Sequence, residues 1–364
     1  MIVLLTFAKL YTLYNYVSLH KIPYRSYKAM NILVTGASGF IGSFIVEEAL
    51  RRGYTVWAGV RRNSSREFLQ EKRIKFIELD LSSPEALDRA MSTFIADNRR
   101  WDYIIHAAGA TKCIDKNDFM RINFEGTKNL IEALKRNNIL PKQFIYLSSL
   151  SIFGPVREEQ PYTPITDSDE ARPNTAYGYS KIMAEAYIRA CDELPYVIFR
   201  PTGVYGPRER DYYKMAVSIK NHIDFAAGYK PQTITFIYVK DLVKAIFLAI
   251  DKGVVKRCYF VSEKRGYSSR CFGEYIQKEL QIKNVMRITV PIWLLKGASL
   301  CAEFLSRITK KPSTLNRDKF NIMKQRNWLC DTTKIEEELN FTTSYDLESG
   351  TRETIKWYKE NKWL

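Results

Sequence analysis

The chain has 364 residues and carries 56 Lys and Arg against 40 Asp and Glu, a formal charge of +16. Its composition, 46% hydrophobic and 26% charged with 13 prolines, excludes collagen-like and disordered classes and is enough for a large core plus a substantial cap. The basic residues are spread along the chain with no zinc-finger spacing and no RNP-like aromatic motif. No nucleic-acid partner is therefore expected, and an anionic cofactor, an anionic substrate or an acidic membrane surface fits the charge.

The first 18 residues (MIVLLTFAKLYTLYNYVS) are mostly apolar but interrupted by Lys9 and Asn15. That is marginal for a membrane span, which needs ~20 apolar residues. The charge-first order of a signal peptide is missing as well. Met30 stands directly before the first strand, so residues 1–30 read as an extension: the product of an upstream start codon, or a membrane-associating segment.

From Asn31 short apolar runs alternate with longer amphipathic stretches. Strands are expected at 31–35, 55–60, 74–79, 103–106, 144–147 and 196–199. Helices are expected at 40–52, closed by Gly53, at 84–94, started by Ser83 and Pro84, and at 119–136 and 177–191. This alternation predicts an α/β fold, a doubly wound parallel sheet covered by helices on both faces. Residues 201–232 read as irregular. A strand at 233–239 and a helix at 241–250 return to the main domain, and the rest ends in a helix near 351–359. The expected organisation is a dinucleotide-type domain over 31–200, rejoined by 233–262, with 201–232 and 263–364 forming a smaller substrate-binding cap.

The loop Thr35-Gly36-Ala37-Ser38-Gly39-Phe40-Ile41-Gly42 follows the first strand and opens a helix. Gly36 permits a tight turn, Gly39 lets backbone approach a pyrophosphate, and Gly42 lets the helix pack close to the sheet. Phosphates would then meet the free N–H groups of the helix start. Gly36, Ser38, Gly39, Phe40, Ile41 and Gly42 are thus candidate cofactor contacts in a Rossmann domain. The second strand ends in Arg61-Arg62, where an acidic residue would hold the ribose of NAD. Arginine pairs instead with a 2′-phosphate, which favours NADP(H) and leaves NAD(H) open. Asp80, with Leu81 beside it, follows the third strand as an adenine contact or an ordinary helix-start aspartate.

Tyr177 and Lys181 are one helical turn apart, so an ammonium could lower the phenol pKa from ~10. Ser149, at the end of an upstream strand, could bind the same substrate oxygen. Tyr179 has the wrong spacing to Lys181 and reads as a packing or substrate-wall residue. His106 ends a buried strand and reads as structural, and Asp241 as a helix cap or structural residue. The six cysteines form no Cys-x-x-Cys pair and none lies near a histidine at ligand spacing, so free thiols and no metal site are expected.

The ordered motifs TGASGFIG at 35, DL at 80, HAAG at 106, NFEGT at 123, SSLSIFG at 148, YGYSK at 177, RPTGVYGPR at 200 and FIYVKDL at 236 together resemble the extended short-chain dehydrogenases/reductases of the epimerase/dehydratase superfamily. The resemblance covers residues 31–250. It implies that Ser149 rather than Ser148 or Ser151 is catalytic, acting with Tyr177 and Lys181, the latter two also touching cofactor. It further implies that Ala107, Ala108 and Gly109 line the cofactor, that Asn123 sits near the nicotinamide end, and that Pro201 and Val204 contact the nicotinamide. Leu150-Ser151 stands where sugar 4,6-dehydratases carry Asp-Glu, which argues against dehydration. What remains is reduction of a keto group on an apolar, lipid- or sterol-like molecule, as in the dihydroflavonol reductase, 3β-hydroxysteroid dehydrogenase and ceramide reductase branch. The alternatives are a sugar epimerase with tightly held NAD and a non-catalytic scaffold subunit. The apolar run after Pro291 (PIWLLKGASLCAEFL) is expected to pack the cap core, with a pocket border or membrane contact as its alternatives. A cytoplasmic enzyme with a small-molecule substrate is expected, with peripheral membrane contact and a homodimer left open.

Overall fold

The computed structural model describes residues 30–364 apart from 98, 310–312 and 314; the N-terminal extension lies outside the described residues. Seven parallel strands form the main sheet: β1 (Asn31–Thr35), β2 (Thr55–Val60), β3 (Lys75–Glu78), β4 (Tyr103–His106), β5 (Gln143–Leu147), β6 (Tyr196–Pro201) and the strand Arg257–Val261. Starting from Arg257–Val261 the spatial order is β6, β5, β4, β1, β2, β3. These runs are rich in Val, Ile and aromatics because both faces of the sheet are covered. Along β1 the pleat sends Ile32 and Val34 into one apolar layer, with Ile45 and Ile246, and Leu33 into the other, with Leu87 and Leu130. The strand order reverses between β1 and β4, and a crevice opens there beyond the carboxyl ends. Thr35 lies opposite both Gly59 and His106, so three strands end together at its floor.

The stretch 119–136 is not one α-helix. A short turn, Asn117–Phe119, passes into a π-helical turn, Met120–Glu125, before the α-helix Gly126–Arg136. Leu130, Ile131 and Leu134 pack into the core as the periodicity requires. The wider π turn brings Asn123 onto a neighbouring loop, a positional demand that periodicity does not encode.

The stretch 201–232, expected to be irregular, holds the helix Arg210–Lys220 and the strand Ile223–Ala227. Its helix start was concealed because the cap is Glu209, which accepts from the Tyr212 N–H, and glutamate is not among the usual capping residues. The expected strand 233–239 is split. Thr233–Ile234 pairs antiparallel with Tyr267–Ser268, and Phe236–Tyr238 pairs parallel with Gly203–Tyr205, while Thr235 between them donates to the Trp328 carbonyl. The C-terminal helix is Leu347–Glu360, started by a capping box of Asp346 and Ser349.

The segment after Pro291 forms the helix Ile292–Thr309, which packs apolar side chains only at its start, where Ile292 and Leu295 join a small cluster with Ala227 and Phe320. Its inward residues are Leu295, Ser299 and Ser306, whereas Trp293, Phe304 and Ile308 are 75%, 65% and 63% exposed.

Candidate active site

The crevice between β1 and β4 is a cleft of 490 Å3 lined by Gly36, Ser38, Gly39, Arg61, Asp80, Leu81 and Ala107–Gly109, among others. Gly36 has φ +67°, and a side chain there would meet the Ala107–Ala108 backbone at 2.7 Å. Gly39 caps the helix Phe40–Arg51 without any side-chain cap, and no acidic residue sits in its first turn. The positive helix end is therefore directed at the cleft. These features fit a dinucleotide pyrophosphate held by Gly36, Ser38 and Gly39.

The side chains of other expected contacts do not line the cleft. Gly42 is not in the lining of this cleft; a Cβ there would stand 2.1 Å from the Gly36 carbonyl oxygen, so its role is to seat the helix against the loop. Phe40 and Ile41 pack on the core, as does Val204, whose short strand Gly203–Tyr205 directs it inward. Arg62 is exposed in the turn after β2, outside the cleft. Asp80 does line the cleft, but Ser82 N–H and hydroxyl both bind its Oδ1, and with Arg61 and Arg121 nearby they hold the carboxyl below its ordinary range. Sequence reasoning missed Ser64, Lys112 and Arg121 on the cleft wall. Arg121 stands two residues before Asn123, and its basic side chain was the only available signal.

Asn123 reaches out of the π turn and locks the cleft loop to the helix Ala176–Ala190. Its Oδ1 accepts from Ala110 N–H at 2.7 Å, and its amide donates to Ala110 O at 3.1 Å and Ser180 Oγ at 2.9 Å. His106 is fully enclosed. Thr127 Oγ1 donates to Asn123 O, so it accepts from His106 Nε2, and His106 Nδ1 accepts from Thr35 Oγ1. Burial, with the Lys181 charge, pushes the imidazole pKa down to about 3, and the ring is a neutral structural link. Asp241 likewise serves structure: its carboxylate accepts from the Ser344 and Tyr345 N–H groups.

A second cavity of 350 Å3 opens beside the first, with Ser149, Tyr177 and Pro201 in its wall. Ser149 follows β5 and caps the turn Leu150–Ile152. Its Oγ accepts from Ser151 N–H at 3.2 Å and Ser151 Oγ at 2.9 Å. Both lone pairs are then engaged, so the Ser149 hydroxyl donates to Tyr177. Burial raises the Tyr177 pKa to about 12, and the Ser149 hydrogen bond works against that rise by favouring the phenolate.

Lys181 does not engage the phenol. Its ammonium donates to Leu147 O at 2.7 Å and lies 4.7 Å from the Tyr146 ring centre, beside Gly109. Burial lowers its pKa to about 8, opposed by Glu185. Helical spacing sets Tyr177 and Lys181 on one face, but their side chains diverge, the first to Ser149 and the second to the end of β5. Tyr179 is 52% exposed and belongs to neither cavity, so it is not a packing or substrate-wall residue. Behind the site Arg200 donates to buried Glu185 at 2.7 Å and to Asp167 at 2.9 Å, tying β6 to the helix that carries Tyr177.

The rest of the second cavity is lined mainly by apolar side chains, Met215, Phe225, Phe236, Phe272, Met323 and Trp328 among them, interspersed with the polar Thr202, Tyr212, Gln232, Thr235 and Ser269, and Lys319 is the one charged residue in its lining among the described residues. These residues come from separate stretches of the chain, and apart from Phe236, which opens the FIYVKDL motif, no local motif announces them.

A sheet of this order with a glycine loop at its switch point, and a Ser-Tyr-Lys group beside it, defines a dinucleotide-dependent enzyme of the extended short-chain dehydrogenase/reductase type. The NAD dependent epimerase/dehydratase family matches residues 32–261, and the chain belongs to that family. Its relatives include a dTDP-glucose 4,6-dehydratase of Neisseria gonorrhoeae, 24% identical over 91% of this chain and 96% of the relative. They also include a ceramide reductase of Caulobacter vibrioides, 23% identical over 92% and 96%. Among solved structures, the dTDP-glucose 4,6-dehydratase of Bacillus anthracis in complex with NAD superposes with a TM-score of 0.71 at 20% identity, covering 92% of this chain and 98% of that one.

Proposed function

We propose that the enzyme interconverts a keto group and a secondary alcohol on a largely apolar substrate, with NADP(H) as its dinucleotide. The observation that carries this reading is the second cavity. Its reactive hydroxyls open onto Met, Phe and Trp side chains. Lys319 is its one cation among the described residues, and Asp211, 3.9 Å away, partly offsets that charge while also pairing with Lys112. A nucleotide diphosphate would find little positive charge there. Leu150 and Ser151 stand where elimination would require acids.

A nicotinamide held in the cleft would supply the hydride. As negative charge builds on the carbonyl oxygen, Tyr177, protonated at neutral pH, delivers its proton there. Ser149, fixed by Ser151, donates to the phenolate oxygen left behind. Lys181, whose ammonium lies beside Gly109, would hold the cofactor's ribose side. Arg61 on the cleft rim supports the choice of NADP(H), since no carboxylate ends β2 to receive a ribose hydroxyl.

The test is turnover with NADPH and NADH against keto-lipids, sterols and nucleotide sugars. Turnover of an apolar ketone is expected, with NADPH preferred and the preference lost in Arg61→Ala. The match of a "Putative UDP-glucose 4-epimerase" of Methanocaldococcus jannaschii, 28% identical over 60% of this chain, favours a second reading, nucleotide-sugar epimerisation. Turnover confined to nucleotide sugars, with NAD retained through gel filtration, would establish it instead.

A further inference from the structure

The helix Ile292–Thr309 is amphipathic in the reverse of the usual sense. Residues toward the protein include Leu295, Ser299, Ala302 and Ser306, mostly small or polar. Apart from Ile292 and Leu295 at its start, its large apolar side chains, Trp293, Leu294, Leu300, Phe304, Leu305 and Ile308, point to solvent. At 100° per residue they span one uninterrupted arc that contains no charged residue. Such a face on a folded enzyme marks a contact surface.

The flank of this face identifies its partner. Beside Leu300 lies a depression of 510 Å3 whose lining includes Lys116, Lys296 and Arg317. Lys116 and Arg317 are each drawn toward an acid, Asp318 and Glu303, at 3.5 Å, and Lys296 forms no ion pair among the described residues. In sequence the stretch 291–311 holds Lys296, Arg307, Lys310 and Lys311 against Glu303 alone. A second copy of the chain would bring the same basic flank and the same +16 charge to meet this one. An anionic lipid surface supplies the opposite charge together with an apolar interior. No helix among the described residues is long and apolar enough to cross a membrane.

We propose that Ile292–Thr309 lies in the plane of an anionic bilayer, with its apolar arc at the acyl boundary and Lys296, with Lys116 and Arg317 on the same flank, at the headgroup phosphates. The base of the helix joins this surface to the second cavity: Ile292 and Leu295 share one apolar cluster with Ala227 and Met323, which line that cavity. The cavity is therefore supplied from the lipid side, a consequence that rests on the apolar-substrate reading. The docking itself does not.

Flotation of the full chain with phosphatidylcholine vesicles, with and without phosphatidylglycerol, tests the proposal in the absence of substrate. Binding is expected on the anionic vesicles, weakened by salt. Phe304→Glu should lower partition at least about tenfold, because a large buried apolar group is lost. Lys296→Ala should lower it roughly fivefold on anionic vesicles only. Dinucleotide affinity should stay unchanged in both variants, which reports an intact fold. Since every variant keeps residues 1–29, a change in binding belongs to this helix. Three results would overturn the proposal: partition indifferent to Phe304→Glu, equal binding to neutral and anionic vesicles, or a dimer that Phe304→Glu dissociates in a chain that does not float.

Discussion

The chemistry at Tyr177 depends on which hydroxyl faces it. Ser151 engages both lone pairs of Ser149, which leaves the Ser149 proton for the phenol oxygen, where it favours the phenolate. Sequence spacing assigned the polarising role to Lys181, but the ammonium is bound at Leu147 O, and the tyrosine remains high, at about 12. Tyr177 is thus a proton donor at neutral pH, as reduction requires. Tyr177→Phe should lose ~10²–10⁴-fold in kcat while keeping its dinucleotide affinity. Tyr179→Phe, altering an exposed ring, should retain near-normal turnover. Steady-state rates for the two variants, beside cofactor titrations, make the comparison; loss in Tyr179→Phe alone would show that the proton donor was misassigned.

Among the elements, the loop and helix from Thr35 to Arg51 act as one rigid piece. The 2.1 Å approach of a Gly42 Cβ to Gly36 O is to backbone, which no rotamer change can relieve. Gly42→Ala must therefore push the helix start away from the loop, and overpacking of this kind costs about 1–3 kcal/mol. Dinucleotide affinity is expected to fall about tenfold or more, with the far-ultraviolet circular dichroism little changed, since the helix itself persists. Isothermal titration decides it, and wild-type affinity would show that the helix start takes no part in cofactor binding. The π turn at Met120–Glu125 is the complementary case, an element whose local irregularity exists to deliver Asn123 to Ala110 and Ser180.

At the scale of the whole molecule, burying His106 as a neutral ring couples folding to pH. Its pKa is 6.5 in the ordinary state and about 3 when folded, so between these values the unfolded chain holds a proton the native chain lacks. Stability gained from this group is complete above pH 6.5 and is lost as pH falls toward 3. Urea unfolding across that window should show a slope that His106→Asn reduces by up to about 1.4 kcal/mol per pH unit. An unchanged slope would mean that His106 titrates normally. The sequence by itself determined the alternation of strands and helices, the glycine loop, and the order of Ser149, Tyr177 and Lys181, because each is written in neighbouring residues through periodicity, backbone freedom or helical spacing. Only the tertiary structure decided where Lys181 points, since a shared helix face does not fix where a long side chain finds its partner. It alone assembled the apolar cavity, whose walls come from stretches more than a hundred residues apart. It alone turned the apolar stripe of Ile292–Thr309 outward, because a periodic pattern defines a face of a helix and not what that face meets.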